Sequence, residues 1–288
     1  MKSAGLIQAL AVLLLCVPVV SAQLTYTIVD VPNASTALNG INNNGVISGT
    51  FVSNKGYGSF TWDSGAFSYF SVPGALYSAA IGINDSNVVV GYYKVGTNEI
   101  GYTYDGQTFA KVQYPNVPYT ELFGINNAGL LVGYEAPDTA DYTGLTFDGT
   151  QFHTFIVPGL NSWSTWAYGV NNLGAIVGQV DLNGVSEGFL RMGRKYKTFL
   201  YPGAISTAAL GINDAGIIVG TYSSSTTVTG CFYMKNGKFK TFSIPNLGDE
   251  TFCTGINNGG VMVGFVRNSD KGTYHGFYTS PVADTDFQ

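Results

Sequence analysis

Residues 211–220 read Gly-Ile-Asn-Asp-Ala-Gly-Ile-Ile-Val-Gly, and close variants of this stretch occur six times in the 288-residue chain. The copies follow one another at intervals of 42 to 45 residues. Their first glycines are Gly40, Gly82, Gly124, Gly169, Gly211 and Gly255. Self-similarity at a period of this length is typical of repeat proteins, in which each repeat is one structural unit. The motif therefore predicts a single fold built from six copies of one unit.

Each repeat contains four short segments that predict β-strands. The first ends in the motif asparagine, and the second is an apolar run that ends in glycine, as in residues 88–91. The third reads Gly-aromatic-x-aromatic, as in residues 101–104, and the fourth runs from an aromatic residue to proline, as in residues 109–115. Short runs rich in β-branched and aromatic residues, bounded by Gly, Pro, Asn and Asp, are typical of strands. The sequence thus predicts an all-β protein.

The two ends of the chain complement each other. After Gly276-Phe277-Tyr278 the last repeat has no fourth segment, whereas a segment of that type, residues 26–32, precedes the first motif. This offset predicts a ring, because the N-terminal strand can complete the last unit and leave no exposed edge. We therefore predict an all-β, six-bladed β-propeller with four-stranded blades, in which the N-terminal strand closes the last blade. The single propeller domain is predicted to span residues 23–288.

The motif asparagines predict a tight hairpin between the first and second strands of each unit. Asn and Asp side chains bond to nearby backbone in turns, and a following glycine supplies a positive φ angle. A second interpretation makes the asparagines a sixfold ring of metal or sugar ligands, but amide groups alone bind calcium poorly compared with carboxylates. We therefore interpret them as structural. They are Asn42, Asn84, Asn126, Asn171, Asn213 and Asn257.

Residues 1–22 lie outside the repeats and predict a cleaved secretory signal peptide. Lys2 gives a positive start, residues 6–20 are mostly apolar, and Val20-Ser21-Ala22 offers small residues for cleavage. The alternative, an uncleaved membrane anchor, needs about 20 apolar residues. We expect a secreted protein, extracellular or periplasmic, with no membrane partner after cleavage. The net charge of −5 argues against a nucleic-acid partner, which requires a basic surface.

Cys231 and Cys253 are the two cysteines of the predicted mature chain, and they occupy positions that are mostly apolar in the other repeats. Both are expected to be buried, in neighbouring blades. An oxidising compartment allows a disulfide between them. Two buried, unpaired thiols that act as small apolar residues are the alternative interpretation.

The repeat resembles the extracellular HAF repeat family of bacterial secreted proteins. Its members are similar in a Gly-Ile-Asn-(Asn/Asp)-x-Gly-x-(Ile/Val)-Val-Gly motif, a His-(Ala/Gly)-Phe segment and a Phe-x-x-(Phe/Val)-x-x-Pro strand. Here the second element is complete once, as His275-Gly276-Phe277, and residues 24–280 carry the overall pattern. The resemblance implies a secreted, bacterial repeat protein. It carries over no catalytic residues.

Loop lengths indicate which face of the propeller is suited to a site. The motif glycine and the second-strand glycine are nine residues apart in all six repeats, whereas the loops between second and third strands and between repeats vary in length. In an up-and-down blade the variable loops share one face, named here the variable face, and the rigid hairpins share the other, the hairpin face. Binding residues tend to lie on variable loops over a rigid scaffold. The candidate ligand-binding residues in these loops are Tyr119, Glu121, Glu135, Asp141, Tyr142, Trp163, Trp166 and Tyr274.

Aromatic side chains beside carboxylates suit a carbohydrate ligand, and they suit a protein partner equally well; for Trp163 and Trp166 the alternative is packing between blades. The first prediction is a non-enzymatic, monomeric protein that binds a protein or glycan on the variable face. A carbohydrate-active hydrolase or lyase is the second, with Glu121, Glu135 and Glu187 as candidate catalytic carboxylates. A structural surface or matrix protein without a discrete site is the third. The sequence contains no His-Cys cluster and no phosphate-binding loop, so we predict no metal and no cofactor.

Overall fold

The computed structural model describes residues 24–159, 162–225, 228–282 and 284–287 of the chain. Within these residues the protein consists of 24 β-strands and one 3₁₀ turn, Asp284–Phe287, which confirms the predicted all-β class. Among the described residues, no helix has the length and hydropathy of a membrane span. The predicted signal peptide, residues 1–22, lies outside the described residues.

The strands form units of four. In units one to five, four consecutive strands pair antiparallel in chain order, and in unit six β22, β23 and β24 are completed by β1. Unit one contains β2 (Ser35–Ile41), β3 (Ile47–Ser53), β4 (Gly56–Asp63) and β5 (Ala66–Phe70); unit two β6 (Tyr77–Ile83), β7 (Val89–Val95), β8 (Asn98–Tyr104) and β9 (Phe109–Val112); unit three β10 (Tyr119–Ile125), β11 (Leu131–Ala136), β12 (Thr143–Phe147) and β13 (Phe152–Phe155); unit four β14 (Ser162–Val170), β15 (Ile176–Leu182), β16 (Val185–Met192) and β17 (Lys195–Phe199); unit five β18 (Ser206–Ile212), β19 (Ile218–Ser225), β20 (Val228–Lys235) and β21 (Lys238–Phe242); unit six β22 (Glu250–Ile256), β23 (Met262–Asn268), β24 (Thr273–Thr279) and β1 (Tyr26–Val29).

The N-terminal strand pairs with the last strand of the chain. Tyr26–Val29 lies antiparallel to β24, with Tyr26 opposite Thr279 and Val29 opposite Gly276. Asp30 extends the contact, because its carboxylate accepts a bond from the Gly276 amide at 3.1 Å and lies 2.7 Å from Nδ1 of His275. The pairing predicted from the offset of the repeats is therefore confirmed for these residues.

Backbone ladders contribute little to the contact between units. Within the described residues two parallel bridges join neighbouring units, one between Glu99 and Tyr119 and one between Ser186 and Ser206. The hydrogen-bonded sheets consequently contain four, eight, eight and four strands. Side chains must supply most of the cohesion around the ring.

The buried motif asparagines form a closed ring of hydrogen bonds. Each side-chain amide donates to the backbone carbonyl of the asparagine in the next unit, at 2.9 to 3.4 Å, and Asn257 donates to Asn42 to complete the circle. The same side chains close their own hairpins: Oδ1 of Asn171, for example, accepts bonds from the Leu173 and Ala175 amides. The predicted hairpin is confirmed, and the asparagines also connect neighbouring units, which the sequence pattern did not indicate.

The residue that follows the motif asparagine in each unit forms a second, more exposed ring. Each of its backbone amides donates to the side-chain oxygen of the equivalent residue in the following unit, at 2.8 or 2.9 Å. Asp85 and Asp214 also accept hydrogen bonds from the side-chain amides of the second-ring asparagines in the two neighbouring units. The members of the second ring are Asn43, Asp85, Asn127, Asn172, Asp214 and Asn258.

Six clusters of buried apolar side chains fill the junctions between neighbouring units. The junction that closes the ring is packed like the others: Val29 and Val263 of unit six contact Leu38 and Phe60 of unit one. Removal of apolar surface from water is the main favourable term in folding. Side-chain packing, together with the asparagine ring, therefore closes the structure where continuous backbone ladders do not.

Cys231 and Cys253 form a disulfide that joins unit five to unit six, with their Cα atoms 5.2 Å apart. Both residues are fully buried. The sequence allowed either a disulfide or two unpaired thiols, and the structure shows the disulfide. Cross-linking residues 22 positions apart is expected to stabilise the fold by about 3 kcal/mol.

The motif glycines allow the first strands of neighbouring units to approach closely. In every unit the pairing of first and second strands shifts register just before this glycine, as at a β-bulge. A Cβ added at Gly40 would lie 2.5 Å from the carbonyl oxygen of Ile81 and 2.8 Å from Oγ of Ser48. At Gly255 the nearest atom, the carbonyl oxygen of Asn39, would be 3.1 Å away.

Gly40→Ala is accordingly expected to destabilise the protein by about 2 kcal/mol, since overpacking against backbone cannot be relieved by a rotamer change. Gly255→Ala is the matched control, because it makes the same chemical change in the same motif with more clearance, and we expect less than half the loss. Urea denaturation of both variants measures the difference. Equal losses of stability in the two variants would mean that the close approach of the neighbouring strand is not the reason that residue 40 must be glycine.

Candidate functional site

The variable face carries a group of polar side chains at the junction of units two and three. Here Glu99 of β8 lies opposite Tyr119 of β10, and the Glu99 amide donates to the Pro118 carbonyl at 3.1 Å. Glu121 follows Tyr119 by two residues, so both side chains point to the same face of the sheet. Tyr134 of β11 is the cross-strand partner of Glu121.

Two glutamates form the centre of this group. Glu99 and Glu121 interact through their carboxyl groups, and the Tyr134 hydroxyl interacts with Glu121. Tyr77 donates its hydroxyl to Oε1 of Glu99 at 2.7 Å, and Nζ of Lys94 lies 3.5 Å from the same oxygen. These five residues, Tyr77, Lys94, Glu99, Glu121 and Tyr134, are named the carboxyl cluster.

The two glutamates ionise at different pH. Glu121 is 6% exposed, and its burial, reinforced by the bond to Glu99, raises the pKa of its carboxyl to about 8. The hydrogen bond from Glu121 in turn lowers the pKa of Glu99. Burial is also the main cause that raises the pKa of the Tyr77 and Tyr134 hydroxyls, which keeps both protonated. At neutral pH the pair therefore holds one proton on Glu121 and one negative charge on Glu99.

A row of aromatic rings leads away from the cluster toward unit four. The Tyr134 and Tyr142 rings meet edge to face with centroids 5.2 Å apart, and Tyr142 contacts Trp166 at 5.1 Å. Tyr142 and Trp166 are half-buried, so each presents part of its ring to solvent. These three residues, named the aromatic path, offer flat apolar surface beside a carboxylate.

A central cavity of about 330 Å³ lies between the six first strands. Phe123 connects it to the carboxyl cluster, because its ring lines the cavity and stacks on Tyr134 at 5.6 Å. Of the polar side chains that line the cavity, Asn39 donates to the Ala80 carbonyl and Thr254 to the Leu38 carbonyl. The donors of these two side chains are already used, and Tyr168 adds one hydroxyl to the lining. The carboxyl cluster, with two carboxyl groups, is the better candidate for ligand recognition.

Four of the predicted site residues come together here: Tyr119, Glu121, Tyr142 and Trp166. Their predicted location in loops is wrong for three of them, because Tyr119 and Glu121 lie in β10 and Trp166 in β14. The strands extend toward the variable face beyond the motif, since Thr and aromatic residues continue the strand pattern. Glu121 also differs from an exposed loop residue in its burial, because its carboxyl is buried.

The other predicted residues lie elsewhere. Glu135 of β11 points to the opposite face of the sheet from Tyr134, next to Thr143, and Asp141 is exposed between β11 and β12. Glu187 is half-buried in β16 of unit four, and Tyr274 contacts Phe265 in unit six. Glu135, Glu187 and Tyr274 are again strand residues, which corrects their predicted place in loops. The side chain of Trp163 lies outside the described residues.

Sequence reasoning missed Glu99, Tyr77 and Tyr134. A signal for Glu99 does exist, because its slot two residues before the third-strand glycine holds tyrosine in three other units. A carboxylate in an aromatic slot departs from the repeat. The slot of Glu121 likewise holds alanine, tryptophan or phenylalanine elsewhere, which indicates burial. The residues that hold aromatic positions in those two slots are Tyr57, Tyr142, Tyr274, Trp166 and Phe252.

Similar solved structures define the class of fold. The fungal lectin from Aleuria aurantia, a six-bladed β-propeller with a fucose recognition mode, is 11% identical, with 86% of this chain and 96% of that chain covered and a TM-score of 0.54. A catalytically inactive virginiamycin B lyase from Staphylococcus aureus is 11% identical over 89% and 99% of the two chains, with a TM-score of 0.53. A gluconolactonase from Xanthomonas campestris is 12% identical over 86% of each chain, with a TM-score of 0.52.

The chain therefore has the β-propeller fold. At these identities the likeness extends to the fold alone, and the three structures include a binding protein and enzymes, so function has to be argued from the site. No protein-family model and no curated protein matches the chain.

Proposed function

We propose that this protein is a secreted, non-enzymatic, six-bladed β-propeller that binds a carbohydrate on its variable face. The proposed site consists of the carboxyl cluster and the aromatic path. The observation that carries the proposal is the cluster of a partly exposed Glu99 and a buried Glu121 beside partly exposed aromatic rings. Each four-stranded unit is taken as one blade, which is supported by six packed junctions and a ring of six asparagines.

The arrangement suits the recognition of a hydroxyl-rich ligand. Glu99 is the accessible carboxylate, with 18% of its side chain exposed, and its bonds to Tyr77 and Glu121 hold it in a fixed orientation. A fixed carboxylate accepts hydrogen bonds from sugar hydroxyls, and Lys94 can donate to a ring or hydroxyl oxygen. Tyr142 and Trp166 offer ring surface on which the apolar face of a sugar can stack.

The same geometry argues against glycoside hydrolysis. The two catalytic carboxyls of a glycosidase are separated by about 5 Å in retaining enzymes and more in inverting ones, so that the scissile bond fits between them. Glu121 is buried and Glu99 is held by Tyr77 and Lys94, so a glycosidic bond cannot reach both carboxyls. Glu135 and Glu187, the other candidate acids, lie on a different sheet face and in a different unit.

Secretion and family membership are parts of the proposal. The Cys231–Cys253 disulfide supports an oxidising compartment, as the N-terminal sequence does. The repeat pattern supports the HAF resemblance. Residues 1–22 of the purified, secreted protein are expected to be absent, which N-terminal sequencing tests.

The binding proposal is tested on a glycan array, followed by calorimetric titration of the strongest ligand. We expect wild type to bind at least one glycan class and Glu99→Gln to bind it about 10- to 100-fold more weakly, because a hydrogen bond to a charged group contributes about 1.5 to 3 kcal/mol. Glu135→Gln is the matched control on the opposite face of the same sheet, and its affinity should be unchanged.

Two results would overturn the proposal. One is an array on which no glycan binds. The other is turnover of chromogenic glycosides that Glu121→Gln abolishes, which would establish a hydrolase. Equal loss of affinity in the Glu99 and Glu135 variants would place the site elsewhere.

A further inference from the structure

A groove of about 730 Å³ opens on the hairpin face between units four and five. Its walls are mainly apolar: Leu190, Met192 and Phe199 come from unit four, and Met234 and Phe239 from unit five. All four of the bordering turns are hairpins of this face, whereas the carboxyl cluster lies at the other end of the strands. The groove is therefore separate from the proposed carbohydrate site.

Large apolar side chains at the groove are exposed to solvent. Leu173 is 77% exposed, Met192 59% and Leu200 36%, and all three line the groove. Exposed apolar groups that converge on one concave site mark a ligand or partner surface more often than scattered ones do. The volume lies within the range of small-molecule sites, about 300 to 1,000 Å³.

The charged residues of the groove lining are Lys197 and Asp214, and the stretch of chain that forms most of the groove is rich in cations. Seven of the 13 Lys and Arg residues of the chain fall within residues 191–240, where Asp214 is the one acidic residue. Lys197 lines the groove and is exposed, and Lys195 lies two residues away on the same strand, also exposed. Since the whole chain has a net charge of −5, this concentration of cations is local.

Equivalent positions in other units lack this combination. The residue at the end of the third-strand segment is Asp63, Asp105 and Asp148 in units one to three, and Met192 in unit four. The exposed turn residue of the asparagine hairpin is Asn44, Ser86 and Ala128 in those units, and Leu173 in unit four. The repeat therefore permits polar or small residues at these two positions, and the large apolar Met192 and Leu173 are particular to this junction.

We propose that this groove binds a single anionic amphiphile, a molecule with a carboxylate head and an unbranched aliphatic chain. The chain lies between the apolar side chains of units four and five, where its burial provides the affinity. The head lies at the Lys197 end, where an ammonium group attracts it and one acidic residue opposes it. Both the apolar walls and the local charge select this chemistry over a neutral sugar or a cation.

Calorimetric titration with dodecanoate, below the concentration at which it self-associates, tests the proposal. We expect one site per chain, binding at least 10-fold weaker for hexanoate because less chain is buried, and no binding of dodecyltrimethylammonium. Lys197→Glu should weaken dodecanoate binding at least 10-fold. Lys111→Glu, the same charge change on an exposed position of β9 in unit two, should leave it unchanged.

A second variant guards against indirect effects. Met192→Asp introduces the residue type that units one to three carry at this position, so it should fold normally and weaken dodecanoate binding at least 10-fold. Glu99→Gln should have no effect on dodecanoate, which separates this site from the carbohydrate site. Binding that neither Lys197→Glu nor Met192→Asp changes, equal binding of the cationic amphiphile, or no binding of dodecanoate at all would each overturn the proposal.

Discussion

Between pH 5 and pH 8 the wild-type protein is expected to lose about 4 kcal/mol of stability through Glu121 alone, because burial raises the pKa of this carboxyl from 4.5 to about 8. The folded state keeps the Glu121 proton throughout this window, whereas the unfolded state has already released it. Stability therefore falls as pH rises through the window and levels off above about pH 8. Glu99 has a lowered pKa, so its ionisation increases the stability of the folded state as pH rises. This change takes place at more acidic pH than the loss caused by Glu121.

Glu121→Gln should remove this pH dependence, since an amide does not titrate and can still donate a hydrogen bond to Glu99. The comparison is made from urea denaturation midpoints of the two proteins at pH 5, 6, 7 and 8. Glu187→Gln removes a carboxyl of unit four and should retain the wild-type fall. If the midpoint of wild type and that of Glu121→Gln change in parallel with pH, Glu121 does not hold a proton in the folded protein.

Asn171→Ala is expected to destabilise the protein by about 3 kcal/mol, because three hydrogen bonds, two of them buried, lose a partner at about 1 kcal/mol each. One is the bond from the Asn171 amide to the Asn213 carbonyl at 3.0 Å, which connects units four and five. The other two are accepted by Oδ1 from the Leu173 and Ala175 amides and hold the hairpin. Urea denaturation measures the loss.

Asn171→Asp separates the ring from the hairpin. A carboxylate still accepts the two hairpin bonds but cannot donate to Asn213, so at pH 7 a carboxylate faces a carbonyl, and we expect a loss at least as large as in Asn171→Ala. Asp214→Asn is the control in the exposed second ring, where four units already carry asparagine, and it should cost less than about 1 kcal/mol. If Asn171→Asp is as stable as wild type, the hydrogen bond between neighbouring units adds no stability.

The repeat made the scaffold predictable. The Gly-Ile-Asn motif with its fixed spacing of nine residues to the second-strand glycine indicated the hairpins, and the displaced segment at residues 26–32 indicated the pairing of β1 with β24. The hairpins depend on local backbone chemistry that one unit already contains, and the pairing of β1 with β24 follows from the offset of the repeat pattern at the two ends of the chain. The ring of asparagines depends on how units are placed next to one another, which no single repeat encodes.

The carboxyl cluster was harder to predict, because it joins residues that are distant in sequence and belong to two units. Glu121 was predicted as a site residue, yet its burial depends on Tyr134 and Glu99 from neighbouring strands. The motif does not indicate where β10 and β14 begin, since it marks only the C-terminal part of each first strand. The first strands begin five residues before the motif glycine in five of the six units, in a part of the repeat where the residue types vary.

A cross-link between the first and last strands tests the closed ring most directly. The Ser280 amide donates to the Thr25 carbonyl at 2.8 Å, and the Thr25 amide donates to Oγ of Ser280. Cysteines introduced by Thr25→Cys and Ser280→Cys should therefore form a disulfide in the folded protein, which peptide mass mapping without reduction detects. We expect the peptides that contain residues 25 and 280 to be joined within one chain. Cysteines that stay free, or that join two chains, would contradict the ring that positions both proposed sites.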